Sequence, residues 1–160
     1  MKDHEDYLLT GGTGCGKTHL ASAAMRHYIQ NARNDVDSPW GSFSAMFVTV
    51  VELLLEIRQT YHKNSELSER DIIDRYSMIH LLVLDDLGAK KNTEWTEQTL
   101  YLIIDRRINN KMWTIVTSNL SLDEIERAYG ARIASRLAEM KVVEIDLPDY
   151  RKRRPAGDKK

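Results

Sequence analysis

The residues best suited to chemistry lie near the start of the chain, in the segment "GGTGCGKT" over 11–18. Its glycines are followed by Lys17 and Thr18, and the whole segment matches the pattern G-x-x-x-x-G-K-[ST]. In such a loop the glycines let successive backbone N–H groups point at one phosphate, and the following helix N-terminus adds partial positive charge. The segment therefore predicts a phosphate-binding loop, and the alternative is a chance glycine turn between a strand and a helix.

The pattern predicts a role for each residue of this loop. Lys17 is expected to reach the β- and γ-phosphates of a nucleotide, and the hydroxyl of Thr18 to coordinate Mg²⁺. Cys15 occupies a variable position, where a tolerated small side chain is the simple interpretation and a redox switch is the alternative. The predicted cofactor-binding residues here are Gly11, Gly12, Thr13, Gly14, Cys15, Gly16, Lys17, Thr18 and His19.

Two carboxylates end the most apolar strand candidate, "IHLLVLDD" over 79–86. A parallel strand would deliver Asp85 and Asp86 to the carboxyl edge of its sheet, beside the phosphate loop. Asp85 is predicted to hold Mg²⁺ directly or through water, and Asp86 to orient or deprotonate an attacking water. Two solvated acids at a strand end are the alternative.

Polar residues further along the chain extend this set. Asn119 ends the strand candidate "WTIVTSN" and is expected at the same edge, where it can contact the γ-phosphate or the attacking water; turn chemistry explains it equally well. Arg132 and Arg136 are four apart and share one helix face. Arg136 is interpreted either as an arginine finger, acting even in a neighbouring subunit's site, or as a surface arginine paired with Glu139.

Strands alternate with helices along the chain, which predicts an α/β fold with a five-stranded parallel sheet flanked by helices. The run "AMFVTV" is continuous and β-branched, so this strand is expected to be covered on both faces. Ser121 and Glu124 form a capping box ahead of a further helix. The predicted strands are 7–10, 45–50, 79–86, 113–119 and 141–147, the helices are 17–32, 51–61, 65–76, 95–110 and 130–139, and 34–42 is a loop.

Size and composition fit one domain, with a core over 1–150 and a basic tail over 151–160 that is expected to be disordered beyond Arg151. The net charge of −1 provides no global field for nucleic acid, so a local patch is needed. The cluster Arg106, Arg107 and Lys111 is one candidate, and a solvated face is the alternative. Without a membrane-length apolar run or a secretory signal, and with one cysteine, the chain is predicted to be cytoplasmic and to have no membrane partner.

Five segments occur in an order that resembles a known family: "GGTGCGKTHLASA", "LLVLDDLGA", "TIVTSN", "GARIASRLAEM" and "DYRKR". They are similar to the AAA+ core of the DnaC/DnaI-type bacterial replicative helicase loaders and to the IstB transposition ATPases, from Tyr7 to about Arg153. The resemblance implies a P-loop NTPase with a RecA-like AAA+ core, ATP or ADP with Mg²⁺, and self-assembly into oligomers. It also implies the following roles: Asp85 and Asp86 as Walker B, Asn119 as sensor 1, Arg136 as the finger and Arg151 as a sensor-2-like arginine.

The function implied by the resemblance is an ATPase of DNA replication that places a replicative DNA helicase on single-stranded DNA, and that is slow as an isolated domain. The loaders carry an N-terminal domain that grips the helicase, whereas this chain begins almost at the first core strand. We therefore expect helicase contact to need that further domain. The helical insertion over 61–76, which the family associates with single-stranded DNA, is slightly acidic here, and this weakens electrostatic DNA binding.

Three other interpretations remain open from the sequence. An IstB-like transposition helper differs from a helicase loader in its partner rather than in its chemistry. A small-molecule P-loop kinase would use Arg132 and Arg136 as a phosphate-gripping lid, but the carboxylate pair and the lack of a recognisable acceptor site argue against it. A nucleotide-gated binding module would bind ATP and barely hydrolyse it.

Overall fold

The computed structural model describes residues 5–32, 44–62, 66–88 and 93–153, and the predicted loop over 34–42 lies outside these ranges. Strands and helices alternate as expected, with ends that differ from the predicted ones by a few residues. The strands are β1 (Tyr7–Gly11), β2 (Ala45–Thr49), β3 (Leu81–Leu87), β4 (Trp113–Ser118) and β5 (Lys141–Ile145). The helices are α1 (Lys17–Ala32), α2 (Val50–Gln59), α3 (Glu69–Met78), α4 (Glu94–Asn109), α5 (Leu122–Tyr129) and α6 (Ala131–Ala138), followed by a 3₁₀ helix, Tyr150–Arg153.

The five strands form one sheet in the order β2-β3-β4-β1-β5, and every pairing is parallel. Strand β1 pairs with β4 on one side and with β5 on the other. Because parallel strands all end at the same edge, the segments that follow β1, β3 and β4 meet there. These are the three segments that carry the predicted loop, the carboxylates and Asn119.

The two faces of the sheet are covered unequally. Alternate residues of β3 point to opposite faces: Leu82 and Leu84 pack with α2 to α6, whereas Leu81 and Val83 pack with Ala21 of α1. The expectation that the 45–50 strand is covered on both faces agrees with the packing: Met46 and Val48 lie on the side of α2 to α6, and Ala45 and Phe47 on the side of α1. The covering is incomplete, because β2 lies at the edge of the sheet and four of its five residues are only half-buried.

Three helices begin with reciprocal capping boxes. The predicted pair, Ser121 with Glu124, is confirmed at α5, and equivalent pairs open α2 and α3. In each box a side chain satisfies a backbone N–H group that the helix cannot pair internally. Hydrogen bonds from Ser121 hold the pKa of the Glu124 carboxyl below its ordinary value.

The prediction of a basic surface patch on α4 is wrong for Arg107, whose side chain is completely buried. Its guanidinium donates to four backbone carbonyls and one hydroxyl, those of Tyr76, Ile79, His80, Trp113 and Thr114. Burial lowers the pKa of Arg107 to about 10. Its neighbour Arg106 is paired with Asp74 at 2.6 Å. Arg107 therefore joins α4 to the start of β3 and β4, and does not face a partner.

Candidate phosphate-binding site

The phosphate loop connects β1 to α1 and depends on glycine for its path. Gly11, Gly14 and Gly16 have φ values of 141°, 76° and 101°, which side chains strongly disfavour. A Cβ atom at Gly11 would also lie 2.3 Å from the carbonyl oxygen of Ile145, at the end of the neighbouring strand β5. The loop conformation is therefore fixed both by its glycines and by the strand beside it.

Lys17 is the first residue of α1, and its side chain turns back over the loop. Its Nζ atom donates to the carbonyl oxygens of Gly11 at 2.8 Å and Gly12 at 2.7 Å, and to Oδ1 of Asn119 at 2.7 Å. The side chain is buried, so the ammonium group is held by these oxygens rather than by solvent. A phosphate oxygen is a chemically equivalent acceptor for the same cation.

Two hydroxyls converge on the buried carboxylate of Asp85. Thr18 Oγ1 donates to its Oδ1 at 3.0 Å, and Thr117 Oγ1 donates to the same oxygen at 2.6 Å. Hydroxyl and carboxylate oxygens fit Mg²⁺, which binds few protein groups and takes its other ligands from phosphate and water. Within the described ranges, no cluster of three or more His, Cys, Asp or Glu side chains is arranged to hold a metal ion.

Asp86 lies in a β-bulge at the end of β3. The register with β4 passes from Leu84↔Val116 to Leu87↔Ser118, so β3 carries one extra residue at this point. Asp86 takes up the irregularity with φ of 61°, a left-handed conformation that Asp tolerates better than most residues. Because of the bulge, the side chains of Asp85 and Asp86 both contact residues of the site, instead of pointing to opposite faces of the sheet.

Asn119 connects two charged groups of the site, Lys17 and Asp86. Its Nδ2 atom donates to Oδ1 of Asp86 at 3.1 Å, while its Oδ1 accepts from Lys17. The structure therefore brings together Lys17 at the start of α1, Asp85 and Asp86 near the end of β3, and Asn119 after β4. Their catalytic roles remain predictions.

Arg136 makes its contacts away from the loop, on the face shared by α6 and α4. It pairs with Asp105 and with Glu139, each at 2.7 Å. The hydrogen bond with Glu139 raises the pKa of Arg136. Its companion Arg132 lies over the ring of Tyr101, 5.9 Å from the centroid. The pairing with Glu139 is the simpler of the two sequence interpretations, and the finger role in a neighbouring subunit remains a prediction.

The two remaining predicted residues differ in their surroundings. His19 is exposed in the first turn of α1. Arg151 is exposed too, but it belongs to the 3₁₀ helix, whose first N–H group, from Tyr150, donates to the carbonyl of Gly14. The segment that carries Arg151 therefore contacts the loop. The predicted tail beyond Arg151 continues as helix to Arg153, and 154–160 lie outside the described residues.

Sequence reasoning missed two residues of this site. Thr117 is buried, donates to the carboxylate of Asp85, and accepts the backbone N–H of Asp86 at 3.0 Å, so it holds the first carboxylate and the backbone that carries the second. A polar residue inside an apolar strand, two positions before Asn119, was the available signal. Asp149 lies against Gly14; it opens the segment "DYRKR" of the family resemblance, but no role was predicted for it.

The parallel sheet and the glycine loop at the β1–α1 junction, with paired carboxylates on β3, define a P-loop AAA+ domain. This confirms the fold class predicted from the sequence. The chain belongs to the IstB-like ATP binding protein family, whose family model matches residues 1–156.

Two relatives illustrate how this chain compares with named proteins. It is 28% identical over 136 residues to the replicative helicase loader DnaC of Buchnera aphidicola subsp. Baizongia pistaciae, covering 85% of this chain and 51% of that protein. It is 25% identical over 131 residues to the replicative helicase loader DnaC of Escherichia coli K12, covering 82% and 49%. The chain thus spans about half the length of these curated relatives.

Solved structures share the fold. A crystal structure of the DnaC helicase loader superposes with a TM-score of 0.73 at 23% identity, covering 89% of this chain and 78% of that one. AMPPCP-bound DnaA from Aquifex aeolicus superposes with a TM-score of 0.75 at 19% identity, covering 91% and 42%. Within the described residues, no helix combines the length and apolarity that crossing a membrane demands.

Proposed function

We propose that this chain is the Mg-ATP-binding AAA+ core of a DNA-replication ATPase of the helicase-loader type. The observation that carries the proposal is the chain of contacts from Lys17 through Asn119 to Asp86, beside the Thr18–Asp85 pair. A buried cation suited to phosphate, two oxygen ligands suited to Mg²⁺ and a second carboxylate, held by Asn119, thereby lie at one sheet edge.

The proposed chemistry assigns each residue a separate task. Lys17 and the loop N–H groups bind and orient the phosphates of ATP, and Thr18 with Asp85 would hold Mg²⁺. When bound, Mg²⁺ supplies positive charge that stabilises the phosphate oxygens. Asp86 accepts a hydrogen bond from the attacking water, and Asn119 fixes the direction in which that carboxylate points.

Hydrolysis by one subunit is expected to be slow because Arg136 is paired within its own subunit. As a finger, it would complete the ATP site of a neighbour in an ATP-dependent oligomer. An arginine finger contributes about 10³ to 10⁵ in rate to related phosphoryl transfers. The proposal therefore makes hydrolysis depend on assembly.

The proposed partners are a replicative DNA helicase and single-stranded DNA, and the relatives named as helicase loaders support the first. Aromatic side chains near the insertion support the second. Tyr61 is 59% exposed and lies edge-on to Trp95, over which Arg58 stacks at 4.9 Å. Trp95 itself is half-buried, so the exposed ring of Tyr61, beside Arg58 and Trp95, is the one that suits stacking on bases. Arg75 of α3 is paired with an acid, so stacking rather than charge would provide the contact.

The family match also supports an IstB-like transposition helper, which would use the same ATP chemistry with a different partner. Pull-down assays would distinguish the two if a replicative helicase and a transposase were offered to this chain separately. Retention of the helicase in the presence of ATP supports the loader, and retention of the transposase supports the helper.

The proposed ATP site is tested by isothermal titration of Mg-ATP into wild-type protein and the Lys17→Ala variant. We expect the variant to lose binding because the loop loses its buried cation. Lys141→Ala is the matched control, since Lys141 is exposed and pairs with Glu5. Unchanged affinity in Lys17→Ala would contradict the proposal.

Hydrolysis is tested by measuring the ATPase rate against protein concentration, with and without single-stranded DNA. Phosphate that appears on an added small acceptor, rather than free in solution, would favour a kinase.

A further inference from the structure

Thr117 is buried inside β4 and makes two hydrogen bonds through one hydroxyl group. Its Oγ1 atom donates to Oδ1 of Asp85 at 2.6 Å and accepts the backbone N–H of Asp86 at 3.0 Å. A carboxylate oxygen can only accept and a backbone N–H can only donate, so the single proton of the hydroxyl is committed to Asp85. Two consecutive aspartates are therefore held by the same oxygen atom.

Side-chain hydroxyls of β4 hold the backbone of β3 at the bulge. A bulge leaves its extra residue unpaired and interrupts the backbone ladder between two strands. Thr117 accepts the N–H of Asp86 within the bulge. The next residue, Ser118, donates to the carbonyl oxygen of Leu87 at 2.7 Å, where the two strands pair again. Buried backbone groups need such partners, so the polar residues of this apolar strand stabilise the path of β3 through the bulge.

The carboxylate of Asp85 is supported from two sides. Its Oδ1 atom accepts from Thr117 at 2.6 Å and from Thr18 at 3.0 Å. Thr18 belongs to the pair proposed to hold Mg²⁺, and Thr117 does not, so Thr117 supports the carboxylate from outside the pair. Removing a group that orients a metal ligand in this way typically lowers metal affinity about 10–100-fold.

We infer that Thr117 is a positioning residue that sets the carboxylate of Asp85 for Mg²⁺ and the backbone from which Asp86 extends toward the attacking water. The inference rests on the proposed function, because it takes a magnesium nucleotide as the ligand of the site. The role of Thr117 requires no contact with the nucleotide, since it acts through the two aspartates. One hydroxyl thereby links metal binding by the first aspartate to water activation by the second.

The effect of Mg²⁺ on nucleotide affinity tests the link to the metal without relying on hydrolysis. The Kd of AMPPCP, whose β–γ bridge is not hydrolysed, is measured by titration with Mg²⁺ and with EDTA. The ratio of the two values, here named the magnesium ratio, reports the coupling between metal and nucleotide. Thr117→Val keeps the shape of the side chain and removes the hydroxyl, so we expect the magnesium ratio to fall about tenfold. Thr117→Ser keeps the hydroxyl and should retain most of the wild-type ratio.

Thr114→Val is the matched control. Thr114 is equally buried in the same strand, but its hydroxyl accepts from Arg107 and donates to the carbonyl of Met112, at the opposite end of β4. This variant should lower the urea midpoint of unfolding and leave the magnesium ratio unchanged, which separates a general loss of stability from an effect at the metal. Asp85→Asn removes the carboxylate that the hydroxyl supports, so adding Thr117→Val to it should change the ratio little further.

Amide hydrogen exchange of Asp86 tests the link to the bulge in protein without nucleotide. Thr117→Val removes the acceptor of this N–H, so we expect exchange about tenfold faster than in the wild type. Thr117→Ser and Thr114→Val should leave the exchange rate of Asp86 near that of the wild type. With saturating Mg-ATP, kcat of Thr117→Val should remain about tenfold low, because the displaced Asp86 is then the cause.

Two results would overturn the inference alone. One is a magnesium ratio that is the same in Thr117→Val and Thr114→Val, and the other is exchange at Asp86 that is the same in Thr117→Val and in the wild type. Thr117→Ala, which removes the hydroxyl without placing a new methyl group beside the carboxylate, provides both comparisons if the valine variant does not fold. A wild-type protein that binds AMPPCP equally well with Mg²⁺ and with EDTA would overturn the inference together with the proposed magnesium site. A wild-type protein that binds no nucleotide would overturn the proposed function.

Discussion

The Nζ atom of Lys17 donates a hydrogen bond to Oδ1 of Asn119 at 2.7 Å, and thereby joins the start of α1 to the end of β4. The orientation of the Asn119 amide follows from its two neighbours. An ammonium group can only donate and an ionised carboxylate can only accept, so Oδ1 must face Lys17 and Nδ2 must face Asp86. The Asn119 amide provides the acceptor and the donor that these two positions need.

Asn119→Asp should therefore weaken Mg-ATP binding more than Asn119→Ala does. The new carboxylate keeps the acceptor for Lys17 with a stronger, charge-assisted bond, and it also repels both Asp86 and the phosphates. We expect Kd to rise about tenfold or more for Asn119→Asp, measured by titration. Asn31→Asp, an exposed change at the far end of α1, is the control. Equal affinities of the two Asn119 variants would contradict the bridging role.

Asp86→Asn should keep ATP bound and stop hydrolysis. Asn fits the left-handed backbone of the bulge as well as Asp does, so the fold is retained, but an amide cannot act as a base. The measurements are Kd of Mg-ATP and phosphate release under single-turnover conditions. Loss of binding in Asp86→Asn would instead assign this residue to metal coordination.

Mixing two inactive variants tests whether Arg136 acts in a neighbouring subunit. Arg136→Ala keeps an intact phosphate loop, and Lys17→Ala keeps Arg136, so a mixed oligomer contains complete sites. We expect specific activity to rise with protein concentration in the wild type and to recover in the mixture, with phosphate release as the measurement. Full activity of Arg136→Ala alone would leave Arg136 as a surface residue paired with Asp105 and Glu139. Mixed oligomers that form and stay inactive would contradict the finger role.

Arg107→Met should destabilise the protein strongly, although Arg107 contacts no residue of the phosphate-binding site. It leaves several buried carbonyl oxygens without a donor, each costing about 1–3 kcal/mol, so we expect a loss of about 3 kcal/mol or more in urea unfolding. Arg107→Lys keeps a cation but has fewer donors, so its loss of stability should be smaller than that of Arg107→Met. The control is Arg106→Ala, whose ion pair with Asp74 is partly exposed, with an expected loss of about 0–1 kcal/mol. A similar loss for Arg106→Ala and Arg107→Met would contradict the buried role of Arg107.

The elements and the site edge were predictable because each has a local signal. The loop follows a fixed pattern, and the strands that deliver Asp85 and Asn119 are short apolar runs with polar ends. Parallel pairing then places those ends together whatever the strand order is. The order itself was not predicted from the residues, since no local pattern specifies which strand pairs with which.

The misses have physical causes. Adjacent residues on a helix point roughly 100° apart, so Arg107 is buried while its neighbour Arg106 is partly exposed. The sequence pattern gave no sign of this difference, because both arginines belong to one basic cluster. The contact between Gly14 and Asp149 joins residues near the two ends of the described chain. A contact between residues so far apart in sequence leaves no periodic pattern from which it could be predicted. Thr117 was missed because a threonine is ordinary in a strand, and its two contacts depend on the bulge in β3.

The position of β1 between β4 and β5 has a kinetic consequence. The strand that leads into the phosphate loop is the first described strand, yet both of its partners belong to the later part of the sequence. Pairing β1 with β4 or β5 closes a long stretch of chain, and this costs conformational entropy before the strand hydrogen bonds form. Topologies dominated by such distant pairings fold slowly. We therefore expect β2, β3 and the helices between them to gain protection early in refolding. The loop acquires its native shape last, when β4 and β5 enclose β1.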